Sequence, residues 1–154
     1  MAMPVNEVRS ILNELIQTCK DGQEGFLDAA HHVQDPNLKA MFLEFSQQRS
    51  MFAGELQQEV TRLGADPDKG GSALGTLHRS WIDFKAKITG QSDATVISEA
   101  ERGEDAAVKA YEKGMQAELP GDVRNIVARQ YKFVLQAHAQ VRSLGVRSSK
   151  SGAA

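Results

Sequence analysis

The sequence has one cysteine, no excess of either charge and no long hydrophobic run. A single cysteine, Cys19, excludes an internal disulfide and fits a reducing compartment. With 18 basic and 20 acidic residues the formal net charge is -2, so the charge favours neither a nucleic acid nor an anionic membrane as a partner. No apolar run approaches the ~20 residues of a membrane helix, and "MAMPVNEVRSILNELI" lacks the features of a signal peptide. We therefore expect a cytoplasmic protein without a membrane segment.

Four long stretches carry apolar residues at alternating intervals of three and four, which is the pattern of helices in a bundle. They cover approximately residues 5–33, 36–63, 93–119 and 121–144. The stripe predicted for the fourth stretch is Val123, Ile126, Gln130, Phe133, Ala137, Val141 and Leu144. Gly145 is predicted to end that helix, and residues 147–154 are predicted to form a disordered tail.

The connections predict how the four helices are joined. The first and last connections are short, so each joins two helices into an antiparallel hairpin. The middle connection, residues 64–92, is long and contains "SALGTLHRSWIDFKAKI", which has the pattern of a shorter amphipathic helix. Such a crossover would span the bundle and make the second and third helices run parallel. Residues 1–146 are therefore predicted to form one all-α four-helix bundle.

Each apolar stripe contains one residue that is unusual in a bundle core. These four residues are Cys19, Arg49, Glu104 and Gln130. A weak internal similarity between the two hairpins aligns Cys19 with Glu104 and Arg49 with Gln130. If this repeat is real, the four residues lie at one level of the bundle.

Glu104 is therefore expected to have polar side chains as neighbours in the core. We predict that it pairs with Arg49 across the bundle, that Gln130 completes the network and that Tyr111 adds its hydroxyl. A buried charge requires such partners because isolated burial is very costly. Cys19, on the same stripe level, is expected to be a buried and inert thiol. Two alternatives stay open for Glu104: a metal ligand, or a solvated residue if the helical phase is wrong.

Four segments carry a resemblance to a known group of proteins. They are "LNELIQTCKDGQEGF", "DPNLKAMFLEF", "LHRSWIDFKAKITG" and "ERGEDAAVKAY". The sequence resembles a family of small bacterial ferritin-like proteins of unknown function, within the ferritin-like superfamily. The resemblance implies a ferritin-like four-helix bundle with a long crossover.

The resemblance also raises the question of a di-iron centre. Di-iron members of the superfamily place a Glu on helices one and three, and Glu-x-x-His on helices two and four. In rubrerythrin-like members the third-helix Glu precedes a Tyr, and Glu104 followed by Tyr111 is similar to that pattern. The corresponding places on the other helices hold Cys19, "RSMF" and "QYKF", and the sequence contains no Glu-x-x-His.

Several hypotheses about function follow. The leading one is a non-catalytic bundle without a cofactor, which has lost the di-iron centre and associates with itself or with a protein partner. The competing one is a metal-binding or oxidoreductase protein that holds iron or manganese through Glu104 and His138, with help from Tyr111. A third is a small-molecule cavity at the level of Gly22 and Gly103, where side chains are missing.

The crossover offers a candidate partner surface. His78, Arg79 and Trp81 lie on its predicted helix. Trp81 is expected to anchor that helix on the bundle by burying its ring, and the functional alternative is a partner-binding or dimer surface.

Overall fold

The computed structural model describes residues 3–64 and 83–152, with side chains described as far as Val146. It contains four long helices: α1 (Val5–His32), α2 (Pro36–Arg62), α3 (Asp93–Gln116) and α4 (Gly121–Gly152). Residues 83–88 form a short helical segment in the crossover, and the described residues contain no strand. The predicted all-α bundle with a helix-bearing crossover is confirmed. None of the described helices combines the length and apolarity needed to cross a membrane.

Local sequence signals explain where the helices begin and end. The Asp35 side chain accepts a hydrogen bond from the Asn37 N–H at 2.8 Å and so caps α2, whose first residue is Pro36. Ser92 caps α3 in the same way, by accepting from the Thr95 N–H at 3.3 Å. Gly64 follows α2 with a φ of 73°, a left-handed conformation that favours glycine.

Asp93 fixes the start of α3 beside the start of α2. Its carboxylate accepts hydrogen bonds from the backbone N–H groups of Gln34 at 2.8 Å and Asp35 at 3.1 Å. The two helices therefore begin at the same end of the bundle and run parallel, as a crossover connection requires.

The helices follow the order α1, α2, α4, α3 around the bundle. α1 packs along α2 and α3, and α4 packs along α3 and more sparsely against α2. Within the described residues no close backbone approach joins α1 to α4 or α2 to α3, so these two pairs lie on the diagonals. Neighbouring helices are antiparallel: Gly22 faces Arg49 while Phe26 packs on Phe42.

The core consists of two apolar clusters stacked along the bundle. On α2, Phe52 belongs to the first cluster and Phe45 to the second, and Arg49 lies between them. On α3, Glu104 lies in the same way between Ala107 and Ala100. The two charged residues thus mark the boundary between the clusters.

The structure corrects the predicted buried face of α4. Phe133 is 37% exposed and Ile126 is half-buried, whereas Val127 and Val134 are fully buried. The pair Ile126 and Phe133 and the pair Val127 and Val134 both have helical spacing, so periodicity alone does not determine which face of α4 is buried. Phe133 still packs its ring against Phe52 from the edge of the α2–α4 contact.

The carboxyl end of α4 also differs from the prediction. The helix does not end at Gly145 but continues to Gly152, through most of the segment 147–154 that was predicted to be disordered. Gly145 lacks the positive φ of a helix-ending glycine. A Cβ there would lie at ordinary van der Waals distances, 3.7 Å from Ile97 Cγ2 and 3.4 Å from Glu101 Oε2, so Gly145 lies at the contact of α4 with α3.

Candidate functional site

Five buried polar residues meet at the boundary between the two apolar clusters. As whole residues they are each at most 2% exposed, and together they come from all four helices: Cys19, Arg49, Glu104, Tyr111 and Gln130. Each occupies a position of its helix's apolar stripe, so the periodicity that buries the neighbouring apolar residues buries these polar ones too. We call this set the polar layer.

The charged half of the polar layer is an ion pair across the bundle. Arg49 Nη2 donates to Glu104 Oε2 at 2.6 Å, and the two side chains are 1% and 3% exposed. The bond joins α2 to α3, which lie on a diagonal. The guanidinium Cζ also lies 5.3 Å from the centre of the Phe26 ring, a distance at which a cation is attracted to an aromatic face.

Gly22 on α1 makes room for Arg49. A Cβ at position 22 would lie 3.1 Å from Arg49 Nη1 and 3.3 Å from its Cγ. Arg49 therefore fills the space that the missing side chain leaves. Gly103 is exposed, and a Cβ there would meet nothing within 4 Å. The hypothesis of a small-molecule cavity at the level of these two glycines is not supported.

The electrostatics of Arg49 favour its charged form. Burial alone would lower the pKa of the guanidinium, but the charge and hydrogen bond of Glu104 outweigh burial and raise this pKa above its ordinary value. Two of its nitrogens, Nε and Nη1, are buried and have no hydrogen-bond partner in the described part of the chain.

The neutral half of the polar layer is a chain of hydrogen bonds. Tyr111 donates its hydroxyl proton to Gln130 Oε1 at 2.7 Å, and Gln130 Nε2 donates to the Phe52 backbone carbonyl at 3.3 Å. Cys19 Sγ lies 3.0 Å from the Tyr111 hydroxyl oxygen. Because the tyrosine proton is directed to Gln130, the thiol donates and the tyrosine oxygen accepts. This chain touches all four helices.

The neutral chain reaches the surface between α2 and α4. Gln130 Nε2 lies 3.4 Å from Glu55 Oε1, and Glu55 forms an ion pair with Arg129. The side chains of Glu55 and Arg129 are 32% and 48% exposed. The neutral chain therefore ends, through Gln130, beside an ion pair that is partly exposed to solvent.

Burial keeps the thiol and the phenol of the layer protonated. Loss of solvation raises the pKa of Cys19 to about 11. Burial likewise raises the pKa of Tyr111 far above its ordinary value. A protonated, fully buried thiol is a poor nucleophile, so Cys19 is not activated for nucleophilic attack.

The donors of the polar layer do not fit a di-iron centre. Glu104 is the only carboxylate among the five residues, and it already binds the Arg49 cation. The other members offer a thiol, an amide and a phenol, and a guanidinium repels any metal cation. Over residues 3–64 and 83–152 no group of three or more His, Cys, Asp and Glu residues could hold a metal ion.

His138 does not join Glu104. Its Nε2 lies 2.6 Å from Asp105 Oδ1, and Asp105 is exposed. The alternative metal ligand set of Glu104 and His138 is therefore not assembled, since the histidine is directed toward the surface carboxylate. The candidate partner surface of His78, Arg79 and Trp81 lies outside the described residues.

Sequence reasoning missed some buried polar contacts. Ser46 is buried and donates to the Gln23 backbone carbonyl at 2.8 Å, and Glu59 is buried beside Arg62. The Phe52 carbonyl, which completes the neutral chain, was also missed. No side-chain pattern in a sequence identifies a backbone carbonyl as an acceptor. The burial of Ser46 and Glu59 could have been predicted, because both lie beside the apolar stripe of α2.

Comparison with known proteins agrees with this architecture. A crystal structure of a two-domain protein from Anabaena variabilis ATCC 29413, with DJ-1/ThiJ/PfpI-like and ferritin-like domains, is similar to this chain with a TM-score of 0.78. The sequence identity is 18%, and the match covers 96% of this chain but 41% of that one. Among curated proteins nothing matches the chain. The profile of a domain of unknown function, DUF2383, matches residues 7–117. The protein therefore belongs to the DUF2383 family, and its fold is ferritin-like.

Proposed function

We propose that this protein is a non-catalytic, metal-free ferritin-like bundle that acts by association with itself or with another protein. In this proposal the polar layer replaces a di-iron centre at the same level of the bundle. The proposed setting is the cytoplasm, in keeping with the single cysteine.

The observation that carries the proposal is the ion pair between Arg49 and Glu104. A metal ion at Glu104 would have to displace a guanidinium that is bonded at 2.6 Å and 1% exposed. That displacement would leave the arginine cation without a partner in an apolar core, next to a second cation. Both effects oppose metal binding.

The rest of the polar layer supports the same proposal. Cys19, Tyr111 and Gln130 are engaged with one another, and their thiol and phenol stay protonated because burial raises both pKa values. The layer therefore has no free general base and no thiolate. In this proposal the polar layer contributes to the interior of the bundle, and the outer faces of the helices are the surfaces that bind a partner.

Exposed apolar side chains support the association role. Met51 on α2 is 65% exposed, and Phe133 on α4 is 37% exposed and packs on Phe52, the next residue after Met51. The helices α2 and α4, which carry these residues, also pack on each other only sparsely. In the Anabaena protein a ferritin-like domain shares its chain with a second domain, so this kind of bundle does occur beside a partner module.

Metal analysis tests the first part of the proposal. Untagged protein purified without chelators should contain iron, manganese and zinc well below one atom per chain. Stoichiometric metal that is lost in Glu104→Ala, but kept in the surface variant Asp105→Ala, would overturn the metal-free assignment. Metal that is lost only in Asp105→Ala would point to the His138 pair on the surface and leave the polar layer metal-free.

Solution mass tests the association role. A chain of 16.8 kDa should give a larger, concentration-dependent mass by sedimentation equilibrium, and Met51→Glu should lower that mass. Gln47→Glu introduces the same charge at an exposed polar position on α2 and should leave the mass unchanged. A monomer at every concentration would contradict self-association.

A further inference from the structure

Gly54 lies in the interior of α2 at a place where neither the backbone nor the packing requires a glycine. The helix covers Pro36–Arg62, so position 54 is well away from both ends. Its φ is not positive, and a Cβ there would meet nothing within 4 Å. Glycine in a helix interior is unfavourable, because it gives up more conformational freedom than any other residue. The missing side chain leaves a notch in the outer surface of α2 that nothing in the described part of the chain fills.

Met51, three residues before this notch, is an apolar side chain that solvent reaches. It is 65% exposed, a larger fraction than that of any other large hydrophobic residue in the described part of the chain. Residues three apart lie on the same face of a helix, so Met51 and Gly54 share the outer face of α2. An unbranched methionine side chain adapts to irregular gaps. The notch is therefore suited to a methionine from a second molecule.

The outer face of α2 also has the residue spacing of an antiparallel helix pair. A stripe on this face, which we call the outer stripe, alternates intervals of three and four, as in a coiled coil. It consists of Glu44, Gln47, Met51, Gly54, Gln58 and Thr61. All of these are exposed except the half-buried Gly54. The intervals read the same in both directions from a point between residues 52 and 53, so a two-fold axis there matches two copies position by position.

The chemistry of the outer stripe matches across this axis. Met51 of each copy falls opposite Gly54 of the other, so the exposed apolar side chain meets the notch. Gln47 falls opposite Gln58, and two amides can exchange hydrogen bonds because each carries a donor and an acceptor. A carboxylate at position 47 still accepts from that amide, in keeping with the unchanged mass expected for Gln47→Glu.

The charges at the two ends of the outer stripe are complementary as well. Glu44 is exposed and forms no ion pair with the rest of the described chain. In the antiparallel arrangement it falls opposite Thr61 of the second copy and next to Arg62. The Arg62 side chain is 69% exposed and uses Nη1 to bind Glu59. Because a guanidinium has five N–H donors, Arg62 can bind a second carboxylate at the same time.

We propose that the outer stripe of α2 is the surface on which a second copy of this chain docks, with the two α2 helices antiparallel. Met51 of each copy occupies the notch at Gly54 of the other, and Glu44 of each pairs with Arg62 of the other. The inference rests on the self-association part of the proposed function and specifies its surface. A contact of one helix from each copy is small, so the dimer should be weak and concentration-dependent.

A different register, centred on Met51, suits the same residues less well. There Met51 would face Met51 of the second copy, Glu44 would face Gln58 and Arg62 would face Ala40. Neither charge would meet an opposite charge, and no methionine would lie opposite the notch. The register centred between residues 52 and 53 is therefore favoured.

Filling the notch separates docking from stability. Gly54→Glu should weaken the dimer by about tenfold or more in sedimentation equilibrium, because a carboxylate would lie against Met51 of the second copy. Gly103→Glu is the matched control: it also replaces a helix glycine with nothing within 4 Å of its Cβ, and should leave the dimer unchanged. Both variants should resist urea at least as well as the natural chain, since glutamate is a better helix former than glycine.

Exchange of the end charges tests the antiparallel register. Glu44→Arg and Arg62→Glu should each weaken the dimer by about tenfold, because each places like charges together at both ends. A chain with both substitutions should dimerise as the natural chain does. An equal mixture of the two single variants should also recover the natural dimer, since the heterodimer restores an opposite-charge pair at each end.

The outcomes separate this inference from the proposed function. A dimer that is as strong in Gly54→Glu as in Gly103→Glu, or that is not recovered by the exchange of charges, would overturn docking through α2 and leave self-association standing. A chain that stays monomeric at millimolar concentration would overturn both the inference and self-association. Loss of the dimer in Gly54→Glu at an undiminished urea midpoint, with recovery in the charge exchange, would support the inference.

Discussion

The two halves of the polar layer solve the problem of buried polarity in different ways. In the neutral half, Cys19, Tyr111 and Gln130 pass hydrogen bonds to one another and end on the Phe52 backbone carbonyl. In the charged half, Arg49 and Glu104 depend on one short bond across a diagonal of the bundle. The neutral half spreads its contacts over four helices, so the loss of one group weakens it modestly. In the charged half, the loss of either residue leaves the other as a buried charge without a counter-charge.

The largest expected effect is the loss of one partner of the ion pair. Glu104→Ala should lower the free energy of unfolding by ~3–5 kcal/mol, because Arg49 would remain buried without a counter-charge. Arg49→Met with Glu104→Leu should be much more stable than the single variant, since apolar residues of similar volume replace both charges. Urea denaturation followed by circular dichroism measures both. A double variant no more stable than Glu104→Ala would show that the charge left behind is not the source of the cost.

A methyl group at Gly22 tests how rigidly the charged half is held. The added Cβ would meet Arg49 Nη1 at 3.1 Å and Cγ at 3.3 Å, and Arg49 cannot move away without loosening its bond to Glu104. Gly22→Ala should therefore destabilise the protein by ~1–3 kcal/mol. Gly103→Ala, with nothing within 4 Å of the new Cβ, is the control and should stabilise it by up to ~1 kcal/mol through helix propensity.

The background variant sharpens this test. In a chain that carries Arg49→Met and Glu104→Leu, Gly22→Ala should lower the free energy of unfolding by less, because the methionine side chain at position 49 has no ion pair and can shift. Equal costs in both backgrounds would mean that Gly22 is required by helix packing and not by Arg49.

Loss of the tyrosine hydroxyl probes the neutral half. Tyr111→Phe leaves Gln130 Oε1 without its donor and should cost ~1–3 kcal/mol in thermal or chemical unfolding, less than Glu104→Ala because no charge is stranded. Tyr131→Phe removes a hydroxyl that lies 3.3 Å from the exposed Glu112 and should change stability by no more than ~0.5 kcal/mol. If the two phenylalanine variants were equally stable, the buried chain would contribute nothing beyond packing.

The smallest expected effect is an alkaline loss of stability from Cys19. Its pKa is about 11 in the folded protein against an ordinary value of 9.0, because burial disfavours the thiolate. The folded thiol therefore holds its proton more tightly than the unfolded one. Its contribution is complete below about pH 9 and declines as the pH rises toward 11, by at most ~1.4 kcal/mol per pH unit.

Cys19→Ala isolates this contribution. Between pH 9 and 10 the variant should lose stability less steeply than the natural chain, as measured by urea midpoints. Identical slopes would mean that the thiol ionises as easily inside the protein as outside it.

Much of the fold follows from the spacing of apolar residues, and the exceptions have physical reasons. The stripes on α1, α2 and α3 place Cys19, Arg49 and Glu104 on the buried face, because a polar residue at a stripe position is buried along with the stripe. The fourth helix was harder because it offers apolar residues on two adjacent faces, so Phe133 was assigned to the core in place of Val134. Only the contact with α2 and α3 selects between these faces.

Details of the site were harder still to predict. Glycine often follows the end of a helix, but Gly145 lacks a positive φ and α4 continues past it. The direction of His138 toward Asp105 depends on a rotamer and on a neighbouring helix, and neither is encoded in spacing along the chain. The partners of Arg49 beyond Glu104 are likewise a matter of packing in three dimensions.

The diagonal position of the ion pair has one more consequence. Each hairpin contributes one charge, Arg49 from the first and Glu104 from the second, and the two helices that carry them have no close backbone contact of their own. Sliding one hairpin along the other by a single helical turn, about 5.4 Å, would separate the charges and leave both in hydrocarbon. The pair therefore opposes such a slip, together with the bonds of Asp93 to the backbone of Gln34 and Asp35, and helps to hold the two halves of the molecule in axial alignment.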